Sequence, residues 1–233
     1  CESHGAMHNE KKAGSFVLIS NFSFFYAHHM STIEGGMICT NDNKIYQQAR
    51  MLRSHGMVRE ANDATIKENY YKENPSLHPD FIFAFPAYNV RNTEIGGIMG
   101  LSQLKRLDEN IERRTKNLHR FLDQLNSKIY RTDFKLEGSS NYAFNLILKE
   151  PDDLLVLKLM KKMKSSDLEF RRGSAGGGNQ TRQPYLKDIV PNNHYKSFPE
   201  TEHVHFYGFY IGNFPDLKSE EIDDICRILN SVE

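Results

Sequence analysis

The sequence predicts an α/β protein that ends in a smaller α+β domain. Short apolar runs such as residues 16–19 are followed by segments with a helical repeat of apolar residues, and this alternation is typical of α/β sheets. Between residues 93 and 128, leucine and isoleucine recur at spacings of three, four and seven, which predicts a long helix. After that helix, strand and helix patterns alternate again over a shorter distance.

The first part of the chain contains three predicted strands and one predicted helix. The apolar run 16–19 suits a strand that is covered on both faces in a parallel sheet. Further strands are expected at residues 22–26 and 36–40. Asn41 or Asp42 can then cap a helix, because a side-chain oxygen at this position accepts a hydrogen bond from the first turn. The apolar face of this helix is predicted to consist of Ile45, Ala49 and Leu52.

The middle of the chain changes from irregular to helical. Residues 60–88 show no clear period and contain three prolines, so we predict a long loop that carries function or contacts a partner. A helix over 93–128 would span ~54 Å, which is long for a globular protein, so a break near Leu107 is expected. The break marks the predicted boundary between a first domain, residues 1–107, and a second domain, residues 108–233.

The second domain is predicted to alternate strands and helices around a glycine-rich loop. Ser219 is the expected cap of the closing helix, and acidic residues follow in its first turn, where they favour a helix N-terminus. The apolar face of that helix is predicted to be Ile222, Ile225, Cys226 and Leu229. The predicted elements are a strand at 142–148, a helix at 151–164, a strand at 168–172, the glycine-rich loop at 173–178, a strand at 206–212 and the closing helix at 219–230.

The composition argues against several classes of protein. The 30 Lys and Arg residues balance 30 Asp and Glu residues, so the chain lacks the basic excess of nucleic-acid and membrane-surface proteins. No apolar run approaches the ~18 residues of a membrane span. Cys1, Cys39 and Cys226 are scattered, so neither a disulfide framework nor a metal-ligand spacing is expected, and a cytoplasmic location is predicted. Because the chain starts at Cys1 with a polar stretch, we expect it to open inside a domain.

His28 lies in the most informative segment of the chain, residues 23–36. Imidazole titrates near pH 6.5, so a histidine at a reactive surface can take up and return a proton at neutral pH. A lone histidine in a polar turn is more often an ordinary residue, and that alternative stays open from His28 alone. Its surroundings are distinctive, because Ser23 lies five residues before it and a Glu-Gly-Gly sequence at 34–36 lies six to eight residues after it.

This segment resembles the cofactor-lysine segment of the DegT/DnrJ/EryC1/StrS aminotransferase family, whose members modify sugars with pyridoxal phosphate. There the same spacing separates a phosphate-binding serine, the lysine that bonds to the cofactor, and a Gly-Gly turn. This chain has His28 at the lysine position, and the triplet Ala27-His28-His29 is similar to that of the 4-keto-6-deoxy-sugar 3-dehydratase branch. The resemblance implies the later part of the fold-type I aminotransferase large domain, a mostly parallel sheet with helices, followed by a small C-terminal domain.

The resemblance implies a pyridoxal phosphate or pyridoxamine phosphate cofactor and L-glutamate as amino donor. It implies dehydration at carbon 3 of a nucleotide-linked 4-keto-6-deoxy sugar for surface polysaccharides. His28 would remove a proton while the hydroxyl group on carbon 3 leaves, and His29 is the competing candidate. A GDP-linked sugar is favoured, because CDP-sugar dehydratases carry an iron–sulfur cluster and three scattered cysteines cannot supply four thiolates. A nucleotide-sugar aminotransferase and an inactive scaffold remain alternatives.

Further site residues follow from the same resemblance. Asn89 corresponds to an asparagine that reaches the cofactor phosphate of the neighbouring subunit, which implies a homodimer; alternatively, Asn89 is only a turn residue. His55, which precedes Gly56, would line the active-site floor or simply end a helix. Arg172 and Arg182 would hold the glutamate carboxylate or the nucleotide diphosphate, since arginine binds both groups through paired hydrogen bonds.

Two remaining features limit the prediction. His203 and His205 could suggest a metal site, but no third ligand has suitable spacing, so we expect a surface strand and no metal. In the family, an aspartate that pairs with the cofactor's pyridine nitrogen and a phosphate-binding loop precede the segment that matches residues 1–6. The chain alone is therefore expected to lack part of the cofactor site.

Overall fold

The chain forms two compact units, Cys1–Asp108 and Glu109–Glu233. The computed structural model describes residues 2–173 and 177–232, so residues 174–176 of the predicted glycine-rich loop lie outside the described residues. The assignment of the two parts of the chain to a cofactor-binding domain and a small domain stays a prediction.

Two antiparallel hairpins form the sheets of the first unit. The short strands β1, Met7–His8, and β2, Lys11–Lys12, pair with each other. Strand β3, Ile19–Ser23, pairs with β4, Gly36–Thr40, so that Ser23 lies opposite Gly36. The predicted bounds of β4 are confirmed, and the segment between β3 and β4 is the one that carries His28.

The two strands predicted at residues 16–19 and 22–26 are wrong. A single strand, β3, takes residues from both, and its partner runs antiparallel rather than parallel. The side chains of Val17 and Leu18 are exposed, so this apolar run is not the doubly covered strand that its composition suggests.

Helix α1, Asn43–Leu52, begins where the sequence predicts it. The Asp42 carboxylate accepts a hydrogen bond from a first-turn backbone N–H at 2.9 Å, so Asp42 is the cap. The predicted buried face is only partly right, because Gln47 and Met51 are buried whereas Leu52 is exposed. The Gln47 amide oxygen accepts two backbone N–H groups of the following loop and ties that loop to α1.

The region predicted to be an irregular loop, residues 60–88, contains helix α2, Ala64–Glu73. Asp63 caps this helix by accepting a first-turn N–H at 2.9 Å. All ten residues of α2 are at least partly exposed, so no apolar period marks the helix in the sequence. Short 3-10 turns at Val58–Glu60 and Pro79–Phe81 flank it within otherwise irregular backbone.

Helix α3, Glu94–Gln124, is continuous for 31 residues, so the predicted break near Leu107 is wrong. Charged side chains one turn apart support the helix just beyond this point, where Arg113 donates to Glu109 at 2.7 Å. At ~1.5 Å per residue the helix is ~46 Å long. In the part of the chain that the structure describes, no helix combines the length and apolarity needed to cross a membrane.

Three antiparallel strands form the sheet of the second unit. They are β5, Ala143–Ile147, β6, Arg171–Arg172, and β7, Gly208–Gly212, and β7 lies between the other two. The strand predicted at 142–148 is confirmed. The strand predicted at 168–172 is reduced to its last two residues, which pair with β7.

Among the described residues, three helices accompany this sheet in addition to the C-terminal part of α3. Helices α4, Asp153–Ser165, and α6, Ser219–Asn230, confirm the sequence predictions. The surface strand predicted around His203 is wrong, because these residues form helix α5, Pro199–Tyr207. Strand β7 therefore begins two residues later than predicted. Pro199 suits the first position of α5, because a backbone N–H at this position would have no acceptor within the helix.

The cap of α6 differs from the prediction. Lys218, rather than Ser219, occupies the cap position, and its backbone N–H donates to the Glu221 carboxylate at 2.7 Å. An acidic side chain in the first turn therefore satisfies the helix N-terminus in place of a serine hydroxyl.

The second unit contains a continuous hydrophobic core between its sheet and its helices. The rings of Phe121 and Phe144 stack with their centroids 4.4 Å apart. Tyr130 is fully buried; its hydroxyl donates to the Leu229 carbonyl at 2.7 Å, and burial raises its pKa. Burial also raises the pKa of the Cys226 thiol to about 12, so this thiol stays protonated at neutral pH.

A buried polar pair joins α3 to the segment that follows β7. Arg114 Nε donates to the Asn213 carbonyl at 2.9 Å, and Asn213 Nδ2 donates to the Arg114 carbonyl at 2.9 Å. Both residues are buried, and this burial lowers the pKa of Arg114. Because polar groups are costly to bury unpaired, the reciprocal bonds fix the end of β7 against α3.

Replacing a core leucine of α4 tests the position of this core. Leu159 is 0% exposed, whereas Leu157 on the same helix is 60% exposed. We expect Leu159→Ala to lower the free energy of unfolding by about 2–5 kcal/mol through the cavity that it creates. The matched variant Leu157→Ala should change it by less than about 0.5 kcal/mol. Urea unfolding followed by circular dichroism measures both, and equal effects would contradict the assigned core.

Candidate active site

The segment between β3 and β4 forms a closed loop that begins directly after Ser23 and contains His28. Phe24 N–H donates to the Gly35 carbonyl at 2.9 Å, and Thr32 N–H donates to the Phe24 carbonyl at 2.9 Å. Within this loop the Ser23 hydroxyl accepts the backbone N–H of Phe25 at 3.3 Å. His28 N–H in turn donates to the Phe25 carbonyl at 3.0 Å, so a single backbone turn connects Phe25 to His28.

The side chain of His28 is 12% exposed and contacts an acidic residue. Its Nε2 atom lies 3.4 Å from Oε1 of Glu2, which is within ion-pair distance. The ring of Phe25 packs against the imidazole edge to face, with centroids 5.4 Å apart. Sequence analysis missed Glu2, because the contact is tertiary and no motif or spacing links the two positions.

The other histidines of this region are packing residues. His29 is buried, in line with the prediction that it packs or bonds locally. His4 is also buried; its ring lies 5.8 Å from that of His29 and 5.3 Å from that of Phe22. Burial lowers the pKa of His4, which favours its neutral form. His28 therefore remains the candidate for proton transfer in this loop.

The Gly-Gly turn that closes the loop cannot accept larger residues. Gly35 has a φ of +142°, and a Cβ atom there would lie 2.8 Å from the Thr32 hydroxyl. A Cβ atom on Gly36 would lie 2.8 Å from the Phe22 carbonyl. Ile33 precedes this turn at a φ of +72°, a conformation that costs roughly 1–2 kcal/mol for an L-residue. The loop that contains His28 therefore ends in a strained residue, Ile33, and two glycines that have no room for a Cβ atom.

The structure also brings His55 and Asn89 together. His55 N–H donates to the Tyr88 carbonyl at 2.7 Å. Ser54, which precedes His55, forms an antiparallel β-bridge with Asn89, which follows Tyr88. His55 and Gly56 have positive φ values of 61° and 74°, so a left-handed turn follows α1. The exposed Asn89 side chain accepts a hydrogen bond from Arg91 Nε at its Oδ1 atom, at 3.1 Å, and this bond orients the plane of the amide group.

Arg172 and Arg182 belong to the second unit and both contact Phe206. Arg172, at the end of β6, donates to the Phe206 carbonyl and lies over the Phe209 ring at 5.5 Å. It lines the edge of a cavity of about 660 Å³. The guanidinium of Arg182 lies 5.0 Å from the centroid of the Phe206 ring. The substrate-binding role predicted for both arginines stays a prediction.

Arg182 is held by a network of hydrogen bonds. Its guanidinium pairs with the Glu202 carboxylate, with Nε 2.8 Å from Oε1, and stacks on Tyr195 at 3.9 Å. The buried Asn179 donates to the same carboxylate at 2.7 Å, and its backbone N–H donates to His205 Nδ1 at 3.1 Å. These bonds attach the segment after the glycine-rich loop to α5. The hydrogen bond from Arg182 is the main reason why the pKa of Glu202 is lowered.

The predicted site residues therefore form three groups. Ser23 lies with His28 and His55 lies with Asn89 in the first unit, and the two arginines lie around Phe206 in the second. Among the described residues, no cluster of three or more His, Cys, Asp or Glu side chains could hold a metal ion. A serine hydroxyl and an asparagine amide are suitable donors for a phosphate group, and an imidazole in the loop that follows the serine is suited to proton transfer.

The sequence pattern of the DegT/DnrJ/EryC1/StrS aminotransferase family matches residues 1–230, and the chain belongs to this family. It is 33% identical to a GDP-4-keto-6-deoxy-D-mannose 3-dehydratase of Escherichia coli O55:H7, over 98% of this chain and 58% of the relative. The chain thus spans little more than half the length of that relative.

Two solved structures extend the similarity to the fold. One is an E. coli GDP-4-keto-6-deoxy-D-mannose-3-dehydratase with bound hydrated PLP, with a TM-score of 0.79 and 32% identity over 98% of this chain and 58% of that one. The other is a GDP-4-keto-6-deoxymannose-3-dehydratase with a trapped PLP-glutamate geminal diamine, with a TM-score of 0.78 and 31% identity over 98% and 59%. The predicted family and fold class are confirmed.

A glycine pair tests the left-handed turn at His55. A Cβ atom on Gly56 would lie 2.1 Å from the Phe85 carbonyl, whereas one on Gly97 in α3 meets no atom within 4 Å. We expect Gly56→Ala to cost more than about 1–2 kcal/mol, because the left-handed backbone and the clash both oppose it. Amide hydrogen exchange at His55 should accelerate. Gly97→Ala should stabilise α3 by up to about 1 kcal/mol, and slower exchange at His55 in Gly56→Ala would contradict the geometry.

The Arg182–Glu202 pair predicts a defined pH dependence. The pKa of Glu202 is lower in the folded protein than in the unfolded chain. The ionised Glu202 carboxylate therefore stabilises the folded protein fully only at pH values above its pKa in the unfolded chain, which is about 4.3. This stabilisation is lost as the pH falls through the lower pKa that Glu202 has in the folded protein. The stability difference between the parent chain and Glu202→Gln should therefore shrink in acid. Thermal melts as a function of pH measure it, with the exposed Glu150→Gln as control; a difference that grows in acid would exclude the pair.

Proposed function

We propose that this chain is part of an enzyme that uses pyridoxal phosphate and pyridoxamine phosphate to dehydrate carbon 3 of a GDP-linked 4-keto-6-deoxy sugar. The observation that carries the proposal is His28, which follows Ser23 in the closed loop after β3, at the position where the family has a lysine. The similarity to GDP-4-keto-6-deoxy-D-mannose 3-dehydratases supports it. The product would be a deoxysugar for surface polysaccharide.

The residues of the first unit fit the cofactor. The Ser23 hydroxyl accepts the Phe25 N–H, so its own proton can be donated to a phosphate oxygen. Asn89 offers amide N–H groups for the same phosphate, and in the proposed homodimer it would do so across the subunit interface. When bound, the cofactor supplies the electron sink that makes the neighbouring carbon acidic. The bonds at Phe24 close the loop that contains His28 and begins after Ser23.

His28 is proposed as the acid–base residue of the reaction. An imidazole cannot form the covalent bond that a lysine amine makes with the cofactor, so the route of an ordinary transaminase is not open to it. It can accept a proton at neutral pH and return it to the departing carbon-3 hydroxyl, which leaves as water. His29 is buried beside His4, which makes it the weaker candidate.

The substrate contacts are proposed for His55, Arg172 and Arg182. His55 would line the floor of the site beside Asn89, to which its turn is bridged. Arg172 and Arg182 would hold the glutamate carboxylate or the GDP diphosphate, because arginine pairs with both groups. A glutamate adduct in one of the solved dehydratase structures supports glutamate as the amino donor. A cytoplasmic location is proposed from the free thiols of Cys39 and Cys226.

The reaction products test the proposed function directly. Full-length protein is incubated with pyridoxamine phosphate, glutamate and GDP-4-keto-6-deoxymannose, and the products are analysed by mass spectrometry. We expect ammonia and a 3-deoxy-4-keto sugar. A stable amino sugar would reject dehydration and support an aminotransferase. Failure of the full-length protein to bind pyridoxamine phosphate would support an inactive scaffold.

Replacing His28 separates its chemical role from its place in the loop. We expect His28→Lys to show the absorbance band of a lysine–cofactor adduct and to lose dehydratase activity. The substitution introduces an amine that can bond to the cofactor and removes the imidazole that is proposed as the base. His8→Lys, at an exposed position in β1, should show neither change. Dehydration at the parent rate in His28→Lys would mean that His28 is not the base.

A further inference from the structure

We propose that Arg91 is a positioning residue for Asn89, which it orients so that the amide N–H groups of Asn89 are directed at the cofactor phosphate. This inference rests on the proposed function, because it deepens the phosphate contact proposed for Asn89. Its starting point is the hydrogen bond that Arg91 Nε donates to Asn89 Oδ1 at 3.1 Å. Both residues are exposed and lie in the turn that precedes helix α3, so a ligand can reach them.

The chemistry of the two side chains allows one orientation of the Asn89 amide. A guanidinium carries N–H donors and no acceptor, whereas an asparagine amide has an oxygen that accepts and a nitrogen that donates. If the amide were flipped, Nδ2 of Asn89 and Nε of Arg91 would face each other as two donors. Arg91 therefore keeps Oδ1 on its own side and directs the N–H groups of Nδ2 away from itself. A phosphate group, whose oxygens accept hydrogen bonds, needs donors in that position.

A cationic donor also makes the amide a better ligand for an anion. Hydrogen bonds in a chain polarise one another, so donation from Arg91 to Oδ1 strengthens the bonds that Nδ2 can donate. Hydrogen bonds that involve a charged group are stronger than those between neutral groups. Among the described residues, no carboxylate lies within ion-pair distance of Arg91, in contrast to Arg182, which pairs with Glu202. The positive charge of Arg91 therefore adds to the attraction of a phosphate group.

The backbone around Asn89 is already fixed by hydrogen bonds. Val90 N–H donates to the Arg53 carbonyl at 2.9 Å, and Asn89 itself forms the antiparallel bridge with Ser54. The chain thus holds the Cα atom of Asn89 at the end of α1. What remains to be set is the direction of its side chain, and the bond from Arg91 sets it.

Asn92 fixes the other end of this turn against the loop between β3 and β4. Its Oδ1 atom accepts the Thr93 N–H at 2.8 Å. A Cβ atom on Gly35 would lie 3.0 Å from Asn92 Nδ2, and a Cβ atom on Gly96, in the first turn of α3, would lie 2.6 Å from Asn92 Oδ1. Asn92 thus occupies the space that these two glycines leave open. The turn that carries Asn89 is therefore packed against the loop of the candidate active site.

Variants of the full-length protein separate this role from a purely structural one. Arg91→Met removes the donor and the charge, Arg91→Lys keeps a cationic donor, and Arg106→Met removes an exposed arginine from α3. The first readout is the ¹⁵N resonance of Asn89 Nδ2, assigned by its loss in Asn89→Asp and measured without cofactor. The second is the affinity for pyridoxamine phosphate compared with that for pyridoxamine, which has no phosphate group. A residue that only supports the fold would change both affinities alike.

We expect Arg91→Met to shift the Nδ2 resonance and to weaken the binding of pyridoxamine phosphate by about 5- to 50-fold, because a hydrogen bond to a charged group contributes roughly this much. The affinity for pyridoxamine should be unchanged. Arg91→Lys should recover part of the lost affinity, and Arg106→Met should match the parent in both readouts. An unmoved Nδ2 resonance in Arg91→Met, an unchanged affinity for pyridoxamine phosphate, or an equal loss of affinity for pyridoxamine would each overturn the inference.

A double-mutant cycle tests whether Arg91 acts through Asn89. Because Asn89→Ala removes the amide, Arg91→Met should weaken pyridoxamine phosphate binding less in that variant than in the parent. An equal effect in both backgrounds would contradict a positioning role. If circular dichroism shows that Arg91→Met does not fold, Arg91→Gln takes its place. Glutamine accepts as well as donates, so it does not select one amide orientation, and the same phosphate-dependent loss is expected.

The two proposals fail in different ways. If the parent protein binds pyridoxamine phosphate but forms a stable amino sugar, and Arg91→Met loses phosphate-dependent affinity, the proposed dehydration fails and the role of Arg91 stands. If the parent protein dehydrates the sugar and Arg91→Met binds pyridoxamine phosphate equally well, the proposed function stands and the role of Arg91 is rejected. If the parent protein does not bind pyridoxamine phosphate, both proposals are rejected.

Discussion

The two backbone hydrogen bonds of Phe24 determine the geometry of the candidate active site. They close the loop between β3 and β4, and Phe24 itself is buried at its base. Within that closed loop, the Phe25 backbone links the Ser23 hydroxyl to the turn that presents His28. The five-residue spacing between serine and histidine is therefore spanned by hydrogen-bonded backbone. Loss of this closure would remove the backbone link between Ser23, the proposed phosphate donor, and His28, the proposed base.

The two units differ in how their residues are held in place. The continuous hydrophobic core lies in the second unit, where rings stack and Tyr130 is fully buried. In the first unit, His28, His55 and Asn89 are positioned by hydrogen-bonded turns with positive φ values at Ile33, His55 and several glycines. Such conformations are costly and tend to occur where function requires a particular side-chain placement. This explains why the candidate chemistry lies in turns rather than in the core.

Sequence reasoning predicted best the elements that carry an apolar period and a cap. Helix α6 and strand β4 have the expected bounds, and α1 has the expected cap. It missed α2 because all of its residues are at least partly exposed, and it placed a break in α3 because length alone suggested one. His28 and Ser23 could be found from spacing and family resemblance. Glu2 could not, because the signal that identifies it is a contact between distant positions.

The central claim is that His28 lies over the reactive carbon of the cofactor, where relatives have a lysine. A crystal structure of the full-length protein with pyridoxamine phosphate tests it most directly. We expect an imidazole nitrogen of His28 within about 3.5 Å of the carbon that bears the cofactor's amine, with the Ser23 hydroxyl on the phosphate. An imidazole turned away from that carbon, or a phosphate bound out of reach of Ser23, would contradict the claim.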